Sequence, residues 1–114
     1  MVIAVDFDGT IVEHQYPEIG NEIPDAFEAL KSLQELGHDL ILWTFRSGKE
    51  LDDAVEFCRK NGVEFFAVNQ NSPDEIFDPA QSRKIYADVY IDDRNIPELP
   101  DWPTIVEIIK TYGT

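Results

Sequence analysis

The chain is poor in cysteine, in basic residues and in long apolar runs, and each shortage closes off a class of function. Cys58 is the single cysteine among 114 residues, so no internal disulfide can form. It falls on the apolar face of an expected helix, where a small core residue fits. Neither His14 nor His38 has a sequence-based reason to approach it, as the partner of a catalytic thiol must. Lys and Arg number 9 against 23 Asp and Glu, a formal net charge of −14. A field of that sign repels bare polyphosphate backbones, so general nucleic-acid binding is not expected, although one local cation can still admit one phosphate. Most of the acidity reads as a solubilising surface. After Met1 the stretch "VIAV" meets Asp6 at once. That leaves neither a basic leader nor an apolar run of signal-peptide or membrane-span length, and a cytoplasmic protein without membrane attachment is the expectation. No internal repeat and no low-complexity segment interrupts the chain.

What is present is the composition of an ordinary globular protein, 43% hydrophobic and 28% charged, at a length that suits one domain over residues 1–114. "VIAVDF" reads as a short, wholly apolar strand of the kind buried on both faces in a parallel sheet. "DGTIVEHQYPEIGNEI" follows as a loop or small hairpin flap. Pro24 suits the first turn of a helix carrying Phe27, Leu30, Leu33 and Leu36, which Gly37 stops. "HDLILWT" is a second buried strand. "SGKELDDAVEFCRKNG" is a second helix, with Leu51, Ala54, Val55 and Cys58 on one face and Gly62 as its stop. "VEFFAV" and "ADVYIDD" are the third and fourth strands, separated by the long irregular stretch "NQNSPDEIFDPAQS". "TIVEIIKTYG" closes the chain as a helix. Strands alternating with helices predict a three-layer α/β/α Rossmann-like domain around a central parallel sheet.

The residues that break the apolar pattern fall at the carboxyl ends of three strands: Asp6 and Asp8, then Thr44, then Asp92 and Asp93. In an open parallel sheet those ends are where ligands bind. Two carboxylates directly after an apolar strand repel one another and add nothing to a core, so they call for a cation. Lys84, just ahead of the fourth strand, adds a positive charge. Arg46, two residues past Thr44, is placed to receive a substrate carboxylate or a second phosphate. Asn69 and Asn71, at the carboxyl end of the third strand, are candidates for substrate contact, with turn formation as the other reading. Arg94 is expected to anchor the following loop by pairing with a carboxylate. The aromatics Trp43, Phe65, Phe66 and Tyr90 are read as core.

In order and spacing these residues resemble the haloacid dehalogenase-like superfamily, mostly Mg²⁺-dependent phosphatases and phosphotransferases. "DFDGT" matches its first motif, Thr44 in "ILWTFRSG" its second, Lys84 its third and "YIDD" its fourth, over about residues 1–97. The resemblance implies a phosphatase that hydrolyses a phosphate monoester through an aspartyl-phosphate on Asp6. Asp8 would be the general acid and base, and Thr44 and Lys84 would contact the phosphoryl group. Mg²⁺ would be held by Asp6, the backbone carbonyl of Asp8, and the pair Asp92 and Asp93, with Asp93 favoured as the direct ligand. Gly9 lets the chain turn so that Asp8 does not repeat the direction of Asp6.

No segment between these motifs is long enough for the cap domain that many relatives carry. A capless site is open to substrate or covered by a neighbouring copy, so a small phosphorylated molecule and a homo-oligomer are both among the expectations. A signalling receiver domain places its phospho-accepting aspartate after the third strand, and "FFAVNQN" has none there. A non-catalytic acidic binding module that retained the fold is the remaining alternative.

Overall fold

The computed structural model describes residues 1–70, 86–96 and 98–112. Its framework is one parallel sheet in the order β3-β2-β1-β4, formed by β1 (Val2–Val5), β2 (Asp39–Leu42), β3 (Ala67–Val68) and β4 (Val89–Ile91). β1 is central. It pairs Val5 with Leu42 on one side and with Ile91 on the other, so the segments leaving the carboxyl ends of β1, β2 and β4 emerge side by side.

Alternation along the strands divides the core. Ile3, Val5, Leu40, Leu42 and Ile91 point to the face that packs against α1 (Ala26–Glu35), α2 (Gly48–Lys60) and α3 (Trp102–Lys110). Ala4, Ile41 and Ala67 point to the opposite face, with Val2, Trp43, Ala87 and Tyr90 packed half-buried around them. All three described helices therefore contribute to one side of the sheet. Residues 71–85, in the connection between β3 and β4, lie outside the described residues.

Several element boundaries differ from the sequence pattern for local reasons. Helix α1 begins at Ala26, not in the turn of Pro24, because Asp25 takes a left-handed conformation, φ 68°. The cap comes from outside the helix, where the Glu22 carboxylate accepts the Phe27 N–H at 3.1 Å. Leu36 is the C-terminal cap and is exposed rather than core. Of "VEFFAV" only Ala67–Val68 pairs as strand. Among the described residues this is an edge strand paired with β2 alone, and Phe66 is exposed. Helix α3 starts two residues earlier than its apolar stripe suggests, since the Asp101 side chain accepts the Thr104 N–H at 2.9 Å and Pro103 fits the first turn.

Trp102, the first residue of α3, is buried and donates its indole N–H to the Thr10 carbonyl at 3.0 Å. That bond fastens the last helix to the loop leaving β1. The expected flap is present: Val12 bridges Glu22 in antiparallel fashion, and the Glu13 N–H donates to Asn21 O at 2.8 Å. Cys58 is buried in α2, and burial pushes its thiol up to about 12, which fits a core residue and not a nucleophile. Among the described residues, no helix is long and apolar enough to cross a membrane.

Candidate active site

Asp6 directly follows β1 and Asp92 directly follows β4, and because those strands are neighbours in register their carboxylates meet. One carboxylate oxygen from each of Asp6, Asp92 and Asp93 lies within 4.8 Å of the others. The cost of burial and of this crowding appears at Asp6, whose pKa rises from 3.8 to about 7. Burial is the largest cause, followed by the negative charge of Asp92 and a hydrogen bond with Asp93, while the Phe7 N–H works in the opposite direction. Three oxygen donors converging in a half-buried position make a set that a hard divalent cation fits, and such a cation would relieve the repulsion that raises the Asp6 pKa.

Two residues of the turn after β1 hold this cluster. The buried Thr10 hydroxyl donates to Asp6 Oδ2 at 3.3 Å and accepts the Asp93 N–H at 3.1 Å, tying the two strand ends together. Gly9 has φ +88°, and a Cβ added there would collide with the Asp93 carboxylate. Glycine at this position thus serves the turn and also the approach of Asp93. Thr10 is the last residue of the "DFDGT" motif, but its role in joining the two strand ends has no signal in the local sequence.

Asp8 goes elsewhere. Its carboxylate does not join the cluster but accepts a bidentate pair of bonds from Arg46, Nε to Oδ2 and Nη2 to Oδ1, each 2.8 Å, with both side chains fully buried. Only its backbone carbonyl remains as a candidate ligand for a cation. Arg46 is likewise not the open anion receptor that its position suggested. Beyond the two bonds to Asp8 it donates to the carbonyls of Pro17, Glu18 and Glu50. A guanidinium has five N–H donors, and here all five point at protein oxygens. The rings of Phe7 and Tyr16 each lie with their centroids 5.1 Å from its Cζ. Arg46 therefore clasps the loop after β1, the flap and the start of α2 together.

Thr44 is buried beside this clasp, its hydroxyl accepting the Arg46 N–H at 3.2 Å. Asn69, in a left-handed conformation with φ 52°, accepts the Thr44 N–H on its side-chain oxygen at 2.8 Å. That contact makes Asn69 a support for the β2 end. Lys84 and Asn71 lie outside the described residues.

Asp6, Asp8, Thr44 and Asp92 line one cleft of about 510 Å³. Four further described residues line it: His14, Trp43, Phe45 and Arg94. Sequence reading placed Trp43 in the core, whereas it is half-buried with its ring edge-to-face on Tyr90, centroids 5.3 Å apart, and forms part of the cleft. His14 comes from the flap, a segment whose position over the strand ends no local pattern encodes. Arg94 was expected to pair with a carboxylate side chain. Instead its backbone N–H donates to Asp92 Oδ1 at 3.2 Å, and its guanidinium makes no hydrogen bond or ion pair among the described residues.

No family model and no curated protein matches the chain. Among solved structures it is similar to that of a conserved protein coded by a locus from Bacteroides thetaiotaomicron, with 56% identity over 100% of this chain and 93% of that one, and a TM-score of 0.92.

Proposed function

We propose, for a chain that belongs to the same family as that conserved Bacteroides thetaiotaomicron protein, that it is a Mg²⁺-dependent phosphatase of the haloacid dehalogenase-like type, acting on a small phosphate monoester. The observation that carries the reading is the convergence of Asp6, Asp92 and Asp93 at the carboxyl ends of adjacent parallel strands. Asp6 is the nucleophile. Its carboxylate oxygen bonds to phosphorus while the bond from phosphorus to the ester oxygen breaks, and the leaving oxygen takes up a proton. Water then adds to the phosphoryl group, frees inorganic phosphate and restores the Asp6 carboxylate. Asp6, Asp92 and Asp93, with the backbone carbonyl of Asp8, would hold Mg²⁺, which would supply positive charge to offset that of the transferring group and of the acids themselves.

Asp8 is the proton carrier in this reading. Both its oxygens are engaged by Arg46, so it serves only by exchanging one of those N–H donors for the leaving group or for water. Because Arg46 also holds the flap carbonyls of Pro17 and Glu18, that exchange is coupled to the flap. Thr44, and Lys84 by its resemblance to the third motif, contact phosphoryl oxygens.

The saturated Asp8–Arg46 pair favours one other reading, a metal-binding module in which Asp8 is structural and no ester is cleaved. One experiment separates the two: phosphate release from an aryl phosphate with and without Mg²⁺, alongside calorimetric Mg²⁺ titration, for the wild type and Asp6→Asn. The phosphatase reading expects metal-dependent turnover that Asp6→Asn abolishes in a folded protein. Mg²⁺ binding without turnover would establish the module, and turnover surviving in Asp6→Asn above a few percent would refute the covalent mechanism.

A further inference from the structure

Phe45 is a large aromatic residue that folding leaves 60% exposed, although it sits between the buried Thr44 and the buried Arg46. It is held in place all the same. Its ring stacks near-parallel with His14, centroids 6.3 Å apart and planes 16° apart, and takes an edge contact from Tyr16 at 4.9 Å. Tyr16 is in turn fixed over the Arg46 guanidinium. His14, Phe45 and Trp43 face the same cleft as Asp6 and Asp92.

From this juxtaposition we infer that the leaving group of the substrate is a planar aromatic ring, bound against Phe45 and the neighbouring His14 and Trp43 while its phosphate reaches Asp6. The inference rests on the phosphatase reading for the position of the phosphate, and it adds the class of ester.

Three physical points support it. An exposed ring that is already immobilised loses little side-chain freedom when a second ring covers it, so the stacking energy goes into affinity and not into ordering. A cleft of about 510 Å³ exceeds what a phosphate alone would occupy and falls in the range of sites that enclose an organic ligand. The charge pattern also divides the cleft: the carboxylate cluster lies on the strand ends, Arg94 offers a cation beside it, and Phe45 and Trp43 form a wall of uncharged aromatic side chains. A substrate with an anionic end and an uncharged planar end matches that division. An aliphatic polyol phosphate would leave the aromatic wall exposed and its own hydroxyls without partners there.

Benzyl phosphate and cyclohexylmethyl phosphate test this cleanly, since both are esters of primary alcohols of nearly the same size and only one carries a planar ring. Two measurements are made for the wild type, Phe45→Ala and Phe45→Tyr: kcat/KM in Mg²⁺, and equilibrium binding of each ester to the same proteins carrying Asp6→Asn. The expected result is a preference for benzyl phosphate of roughly three- to tenfold, the worth of one ring stack, carried by KM. It should collapse in Phe45→Ala and persist in Phe45→Tyr. Equal binding of both esters to the Phe45-containing protein, or a preference that survives Phe45→Ala, overturns the inference whatever the turnover. If neither ester is hydrolysed yet benzyl phosphate binds more tightly and Phe45→Ala removes the difference, the phosphatase reading falls and ring recognition stands.

Discussion

Replacing Arg46 by methionine should be among the most damaging single changes in this protein, although the position is in a loop between β2 and α2. The substitution keeps much of the side-chain volume but removes every N–H from the Asp8 carboxylate, which is fully buried and has no other donor to its oxygens among the described residues. Removing one partner of a buried pair strands the other, at a cost of about 3–5 kcal/mol. The flap carbonyls of Pro17 and Glu18 lose their donors as well. For a chain of this length that corresponds to a fall in Tm of about 12–20 °C, a large part of the total stability of an ordinary domain.

Urea unfolding followed by far-UV circular dichroism and by the fluorescence of the buried Trp102 would measure it. Adding Asp8→Leu to Arg46→Met should recover much of the loss, because the stranded charge is gone and an apolar side chain fills the space. The coupling between the two positions should exceed about 1 kcal/mol in the double-mutant cycle. A loss below about 1 kcal/mol for Arg46→Met, or strictly additive mutations, would refute the account of Arg46 as the clasp of this end of the molecule.

The acidic cluster makes a prediction about pH. The pKa of Asp6 in the folded protein, about 7, lies above the 3.8 of the unstructured group, so between those values the native state binds more protons than the unfolded one. Metal-free protein should therefore lose stability as pH rises from about 4 through 7 from this residue. The slope contributed by Asp6 should disappear in Asp6→Asn and diminish in saturating Mg²⁺, as read from melting curves at pH 5 and pH 8; a metal-free Tm that Asp6→Asn leaves unchanged at pH 8 would contradict the crowding. Gly9→Ala should cost roughly 1–3 kcal/mol by its positive φ alone. It should also push the Asp93 carboxylate out of the cluster, so that calorimetry shows weaker Mg²⁺ binding than in the wild type. Binding unchanged in a destabilised Gly9→Ala protein would remove Asp93 from the ligand set.

The sequence by itself determined the repeating alternation of apolar strands and amphipathic helices, and with it the parallel α/β architecture. Short runs such as "VIAV" and "LIL" are buried on both faces only in such a sheet. It also determined that Asp6 and Asp92 stand at strand ends, because a carboxylate cannot continue a buried strand. What tertiary structure decided is which polar groups meet across long separations. Asp8 and Arg46 are 38 residues apart, Thr10 and Asp93 83, and Thr10 and Trp102 92. Their pairing depends on strand order and on the turn after β1, where Arg46 holds the Asp8 carboxylate away from the Asp6 cluster.

The same dependence explains why Arg46 and Asn69 read as substrate contacts from their positions, whereas the structure gives Arg46 five bonds to protein oxygens and Asn69 a bond to the Thr44 N–H. A residue's place at the mouth of a sheet follows from local periodicity, but whether its donors face solvent or neighbouring carbonyls follows from how the flap folds over it. Likewise Trp43 reads as core from its strand, and it both packs half-buried against Ala4, Ile41 and Ala67 and forms part of the cleft wall. Periodicity fixes which face a side chain takes, and only packing decides what, if anything, covers that face.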